Sequence, residues 1–215
     1  MLVRDLGLID YREAWALQEQ AHLRVLDGGQ ETLFVLEHPP VVTLGRRAGV
    51  SRHLVASEQQ LAQLGVQLVQ TDRGGDITFH GPGQLVGYPI VRLIDHGLSV
   101  GGYVHTLERV VIECLKTWGI DAQTDPSAVG VWVGHGGQQK KICALGVRIR
   151  RGISLHGIAL NVTTDLRYFN LMVPCGLQGK GVTSLQELLG ERCPAMAEVK
   201  QVFARHMERT FPEQA

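Results

Sequence analysis

The sequence predicts an α+β fold, a mixed β-sheet flanked by helices. In the first half, β-prone runs alternate with stretches of helical periodicity. The second half holds three successive β-rich runs joined by turns rich in Gly or Arg, and a long amphipathic helix separates the halves. With 215 residues, 44% of them hydrophobic, the chain can bury one substantial core, so a single domain over residues 1–215 is expected.

Asp10 and Glu13 have the spacing of a capping box. Ala14, Leu17, Ala21 and Val25 then recur at helical spacing until Gly28-Gly29, so the first element is expected to be a helix. Thr32 to Leu36 is β-prone and stops at His38-Pro39-Pro40, and Val41 to Leu44 resumes extended before Gly45. Both are expected as strands near an edge or a bend. Ser57 with Gln60 opens a short helix that Gly65 closes, and Val66 to Val69 reads as a strand. LVGYPIVRL is a further strand. Tyr103, Leu107, Val110, Val111, Cys114, Leu115 and Trp118 then mark the long helix, ending at Gly119. Val129 to Val133, Lys141 to Ile149 and Ile153 to Asn161 predict an antiparallel meander, and Ala197 to Phe211 a closing helix.

Lys plus Arg and Asp plus Glu balance at 21 each, so no global field draws nucleic acid or an anionic membrane surface. Asp5, Asp10 and Glu13 interrupt the N-terminus where a secretory signal needs an apolar core, and no window is apolar enough to span a bilayer. A soluble, cytoplasmic protein is expected. Cys114, Cys143, Cys175 and Cys193 show no Cys-x-x-Cys spacing, which argues against a zinc site or a redox dithiol; no metal and no cofactor is expected.

The 26 glycines stand well above the average of about 7%. They are densest in Arg73-Gly74-Gly75-Asp76-Ile77-Thr78-Phe79-His80-Gly81-Pro82-Gly83-Gln84, where they would let a ligand approach the main chain and form one wall of a cleft, or simply make a tight hairpin. The stretch matches neither the phosphate-binding loop nor the dinucleotide fingerprint.

Val173-Pro174-Cys175-Gly176-Leu177 sets a cysteine between a residue of fixed φ and one of free φ, a plausible mount for an exposed thiol. Cys114 sits on the apolar face of the long helix and is expected to be inert core. A free thiol has a pKa of about 8.5, so a nucleophilic cysteine needs a neighbour that favours the thiolate. Lys140-Lys141 opens the strand KKICALGVRIR, and a lysine pointing into a cleft would do this. Strand alternation places Lys140 on the same face as Ile142, so the pattern alone favours Lys140. His80, His105, His135 and His156 are candidate bases, and the His-Gly steps at His80 and His156 suit a cleft wall.

RGGDITFHGPGQLVGYPI, KKICALGVRIRRGISLHGIALNV and VPCGL, in that order and together with EHPPVVTLGRR, resemble the octanoyl-[acyl carrier protein]:protein octanoyltransferases of lipoate biosynthesis. The resemblance runs over nearly the whole chain. It implies a fold like that of biotin and lipoate protein ligases, and a monomer without metal or nucleotide. It also implies Cys175 as the acyl-thioester cysteine and Lys141, not Lys140, as its partner. Substrate-binding stretches would be Arg73, Gly74, Gly75, Asp76, Ile77, Thr78, Phe79 and His80; then Ala144, Leu145 and Gly146; then Gly157, Ile158 and Ala159. The donor would be octanoyl-acyl carrier protein. The acceptors would be lipoyl domains of 2-oxoacid dehydrogenase complexes and the glycine cleavage H protein. An apolar tunnel lined by Leu, Ile and Val residues beside these motifs would draw about 0.8 kcal/mol from each buried methylene. The rival readings are an ATP-dependent lipoate or biotin ligase, an amidotransferase between lipoylated proteins, a non-catalytic module binding acyl carrier protein, and a papain-like hydrolase. The Pro-Cys-Gly setting fits the last poorly.

Overall fold

The computed structural model describes residues 1–173 and 180–212. In chain order the elements are β1 (Leu2–Leu8), α1 (Tyr11–Leu26), β2 (Thr32–Glu37), β3 (Val41–Leu44), α2 (Glu58–Gln63), β4 (Gln67–Gln70), β5 (Thr78–His80) and β6 (Gln84–Ile90). Then follow α3 (Val100–Lys116), β7 (Ala122–Thr124), β8 (Val131–Val133), β9 (Lys140–Arg150), β10 (Ile153–Asn161), β11 (Gly181–Val182), α4 (Leu185–Leu189) and α5 (Met196–Thr210).

The larger sheet runs β1-β2-β6-β10-β9-β8-β7, with β11 beside the start of β9. β1 is parallel to β2 and β11 to β9, while the other pairs are antiparallel, so the sheet is mixed as expected. A second sheet, β4-β3-β5, stands apart from it.

Within the larger sheet, β2 and β6 are buried on both faces and apolar at nearly every position. Leu33 and Val35 pack with Leu107, Val111 and Leu115 of α3 and Val199 and Phe203 of α5. Phe34 and Leu36 pack with Ala14, Ala21 and Val25 of α1. Each α1 residue falls on the helical spacing that marked it in the sequence. Asp10 caps α1 by accepting the Arg12 and Glu13 amides, and Ser57 and Gln60 form the capping box of α2.

Three expectations need correction. The first element is β1, not a helix; it is an edge strand whose Asp5 is paired with Lys200 of α5, so the polar position that breaks up its apolar pattern has a tertiary partner. β2 lies inside the sheet between β1 and β6, buried on both faces rather than near an edge. The meander β8-β9-β10 is present, but β9 carries a β-bulge: Val131 pairs with Cys143 while Trp132 pairs with Lys141, leaving Ile142 extra. Ile142 and Cys143 consequently both enter the core beneath α3 and α5. The alternation is broken there, which places the Lys141 side chain, not that of Lys140, beside Ala144 and Gly146. β9 turns into β10 through Arg151 and Gly152, both at positive φ, the geometry of a two-residue hairpin turn.

Candidate active site

Between the two sheets lies a cavity of about 400 Å³. Lys141, Ala144, Leu145 and Gly146 of β9 and His156, Gly157, Ile158 and Ala159 of β10 line one side. Gly157 pairs with Gly146 and Ala159 with Ala144 across the strands. Arg73, Gly75, Asp76, Ile77, Thr78 and His80 line the other side. The three stretches singled out in the sequence therefore meet around one space, and Ile77, Leu145 and Ile158 supply apolar lining beside them. Gly74 and Phe79 do not face the cavity. Gly74 ties the loop to β9, its amide donating to the Val147 carbonyl at 2.9 Å. Phe79 is buried in the core of the smaller sheet, stacked on Tyr168 with ring centroids 4.7 Å apart.

The first residue of the glycine-rich stretch, Arg73, is itself housed by glycines from outside that stretch. The Arg73 guanidinium is buried, donating through Nε to Thr43 Oγ1 at 3.1 Å, through Nη2 to Thr43 O at 2.7 Å, and through Nη1 to Gly74 O at 3.1 Å. A Cβ on Gly45 would stand 3.0 Å from Nη1 and 2.4 Å from the Gly75 carbonyl, and one on Gly146 would stand 3.4 Å from Nη1. Gly45 and Gly146, on two other segments, thus make room for one guanidinium.

Lys141 is half-buried at the opposite end of this stretch of β9. Its Nζ donates to the Val129 carbonyl at 2.9 Å and stands 4.7 Å from the centroid of the Trp132 ring. Trp132 is itself fully buried, its Nε1 donating to Ala128 O. Lys180 stands 5.1 Å from the same ring and is ion-paired with Asp125. Burial lowers the Lys141 pKa below that of a free lysine, against the pull of the Cys143 thiol, Asp125 and Glu108, while Lys180 adds to the lowering. Lys140 is exposed and paired only loosely with Glu187 at 4.0 Å.

Cys175 lies outside the described residues. Of the other cysteines, Cys114 is buried core with its pKa pushed up to about 12 by burial, as its place on the apolar face of α3 predicted. Cys143 is buried too, and burial raises its thiol. Neither is suited to act as a thiolate.

His80 and His156 line the cavity; His105 and His135 do not. His80 is held by Gln84 at 2.8 Å. The Gln84 amide nitrogen donates to Phe79 O and Asn161 Oδ1, so its oxygen accepts from His80 Nδ1–H, and Nε2 is the unprotonated nitrogen. Burial holds the His80 pKa well below its usual value, with His38 and Arg73 adding to the effect. His156 sits at φ 59, a left-handed conformation unusual for a strand residue. Its Nε2 meets Asp72 at 2.8 Å and its Nδ1 meets the Tyr11 hydroxyl at 3.4 Å. Burial lowers its pKa, while Asp72 pulls the other way. His38 donates to the Ile9 carbonyl and accepts from the Tyr88 hydroxyl, both at 2.8 Å, and burial lowers its pKa to about 4.

Several lining residues escaped the sequence: Tyr11, Arg47, Tyr88, Ser127, Ala128, Val129, Phe169 and Val182. Tyr88 left a signal, since a hydroxyl in the middle of an apolar strand needs a buried partner. The Ser127 to Val129 turn left none, because its position depends on the bulge in β9.

Residues 10–208 match the family model described as lipoyl protein ligase A/B catalytic domain. The chain is 45% identical to an octanoyltransferase of Roseiflexus sp. (strain RS-1), covering 98% of this chain and 87% of the relative. It is 48% identical to an octanoyltransferase of Chloroflexus aggregans, covering 93% and 89%. In fold it is similar to a bi-partite lipoate protein ligase from Thermoplasma acidophilum, with a TM-score of 0.74 at 18% identity, covering 98% of this chain and 84% of that one.

Proposed function

Since this chain belongs to the lipoyl protein ligase A/B catalytic domain family, and its relatives at nearly half identity are octanoyltransferases, we propose that it carries an octanoyl group from acyl carrier protein, through a thioester on Cys175, to the target lysine of lipoyl domains. Those acceptors would be the lipoyl domains of 2-oxoacid dehydrogenase complexes and the glycine cleavage H protein.

The observation that carries this reading is Lys141: a lysine at an apolar cavity, its ammonium disfavoured by burial, on a strand whose next inward positions are the small residues Ala144 and Gly146. Burial moves such an amine toward the neutral form that accepts a proton, further than an exposed lysine goes. In the first half-reaction Lys141 takes the Cys175 thiol proton and the thiolate attacks the octanoyl carbonyl. The carbon–sulfur bond to the carrier breaks, and the carrier thiolate leaves with that proton. In the second, the acceptor lysine's amine attacks the acyl-enzyme and loses its proton to Lys141, and Cys175 leaves as the thiol. The acyl chain would lie over Ala144, Gly146 and Ala159, between Ile77 and Ile158. Main-chain amides of the cavity walls would stabilise the oxyanion.

Intact mass after incubation with octanoyl-acyl carrier protein, without ATP, tests the reading. The wild type should gain one octanoyl group, released by hydroxylamine and discharged on adding a lipoyl domain, and Cys175→Ala should gain none. An unmodified wild type that instead acylates the lipoyl domain from ATP and free octanoate would make it a ligase.

A further inference from the structure

Glu108 is 2% exposed, on the face of α3 that otherwise presents Leu107, Val111 and Leu115 to the core. A carboxyl group in such a layer is costly unless its oxygens are bonded. Both are. Oε1 accepts the Gly130 amide at 3.0 Å, and Oε2 meets Nδ1 of the exposed His105 at 3.0 Å.

The Gly130 amide belongs to the same turn as the Val129 carbonyl, which accepts Lys141 Nζ at 2.9 Å. Gly130 has φ 137, and a Cβ there would stand 2.9 Å from Lys141 Cε and 2.9 Å from Cys143 O. The lysine stem therefore lies directly against the turn that Glu108 holds.

Among the described residues, the titratable groups acting on Lys141 come from four elements: Cys143 on its own strand, Glu108 on α3, Asp125 before β8 and Lys180 before β11. Asp125 and Lys180 are paired with each other, and burial keeps Cys143 a neutral thiol. Glu108, which has the exposed His105 ring beside it, is left as the carboxyl group that can answer the Lys141 ammonium.

We propose that Glu108 is a positioning residue for the transfer reaction: through the Gly130 amide it holds the Val129 carbonyl against Lys141 Nζ, and it presents the negative charge that this ammonium faces from α3. The inference rests on Lys141 acting as the proton acceptor in the function proposed above.

Glu108→Gln keeps an oxygen for the Gly130 amide and removes the charge. Glu108→Asp keeps the charge and withdraws it by one methylene. The Lys141 ammonium can be titrated in the full-length chain by NMR of lysine labelled at Cε, assigned with Lys141→Arg, and compared with kcat against pH for octanoyl transfer to a lipoyl domain. In Glu108→Gln the titration midpoint and the pH–rate limb should move together to lower pH, by about half a unit to one unit, with the thermal midpoint nearly unchanged. Glu108→Asp should titrate close to wild type but lose about tenfold in kcat. An unmoved titration in Glu108→Gln, or wild-type kcat in Glu108→Asp, overturns the inference. If Lys141→Ala is inert and Glu108→Gln is unmoved, this inference alone fails. Full transfer by Lys141→Ala would sink the lysine's catalytic role and this inference with it.

Discussion

Arg73 and Lys141 both line this cavity, and the two cations are held in opposite ways. The Arg73 guanidinium donates to Thr43 Oγ1, Thr43 O and Gly74 O, with Gly45 and Gly146 leaving room for it. The Lys141 ammonium has the Val129 carbonyl and the face of Trp132. An arginine cannot release its proton under any physiological condition, so bonding all three of its side-chain nitrogens to neutral acceptors yields a fixed strut between the loop and β3. A lysine whose charge is only partly compensated can exist in either protonation state. The cation that is pinned serves architecture, and the one that is underprovided is the one to which the proposed function gives the proton transfer.

Exchanging the two residues breaks this comparison most directly. Lys141→Arg keeps the charge but cannot take a proton, so kcat for octanoyl transfer should fall by about 10²- to 10⁴-fold with the fold intact. Circular dichroism at matched temperature and steady-state kinetics on the same preparation check it. A variant within a factor of a few of wild type would mean that charge alone suffices at this position.

Arg73→Lys is the converse. A single ammonium cannot reach all the acceptors of the planar guanidinium, so Thr43 and Gly74 are left with unmet oxygens in a buried site. The expected loss is about 2–4 kcal/mol in urea unfolding. Stability equal to wild type would show that the glycine cradle does not depend on its occupant.

The smallest effect sharpens the comparison through pH. The folded-state pKa of Lys141 is lowered, so the folded protein holds this proton less tightly than the unfolded chain, and the burial of Lys141 costs stability wherever the ammonium persists. Lys141→Met should therefore melt above wild type near neutral pH. Its advantage should shrink as pH rises through the lowered value toward 10.5, the value of a free lysine, above which both states hold the amine neutral. An advantage independent of pH would assign the gain to packing.

Much of the fold was legible because its signals are local. The capping residues Asp10 and Ser57, the apolar stripe of α3 and the β-rich runs of the meander each report on their own segment. β1 was not legible, since Asp5 breaks its pattern and its partners, β2 and Lys200, lie far along the chain. At the candidate site, Arg73, His80 and Gly157 stood out in the glycine-rich stretch and the His-Gly steps, whereas Ala144 and Gly146 came only with the resemblance to a family. Lys141 required the resemblance to a family, because strand parity pointed to Lys140 and the bulge at Ile142 reversed it.

The sequence by itself determined the α+β class, the helix starts and stops, and which short motifs carry unusual residues, since these follow from propensity, periodicity and capping within one stretch of chain. Only the tertiary structure decided how Lys141 and not Lys140 comes to enter the cavity, that Gly45 and Gly146 house Arg73, and that Glu108 reaches the Lys141 turn. Each of those depends on register and contact between segments distant in sequence, and no local pattern encodes how one strand slips by a single residue against another.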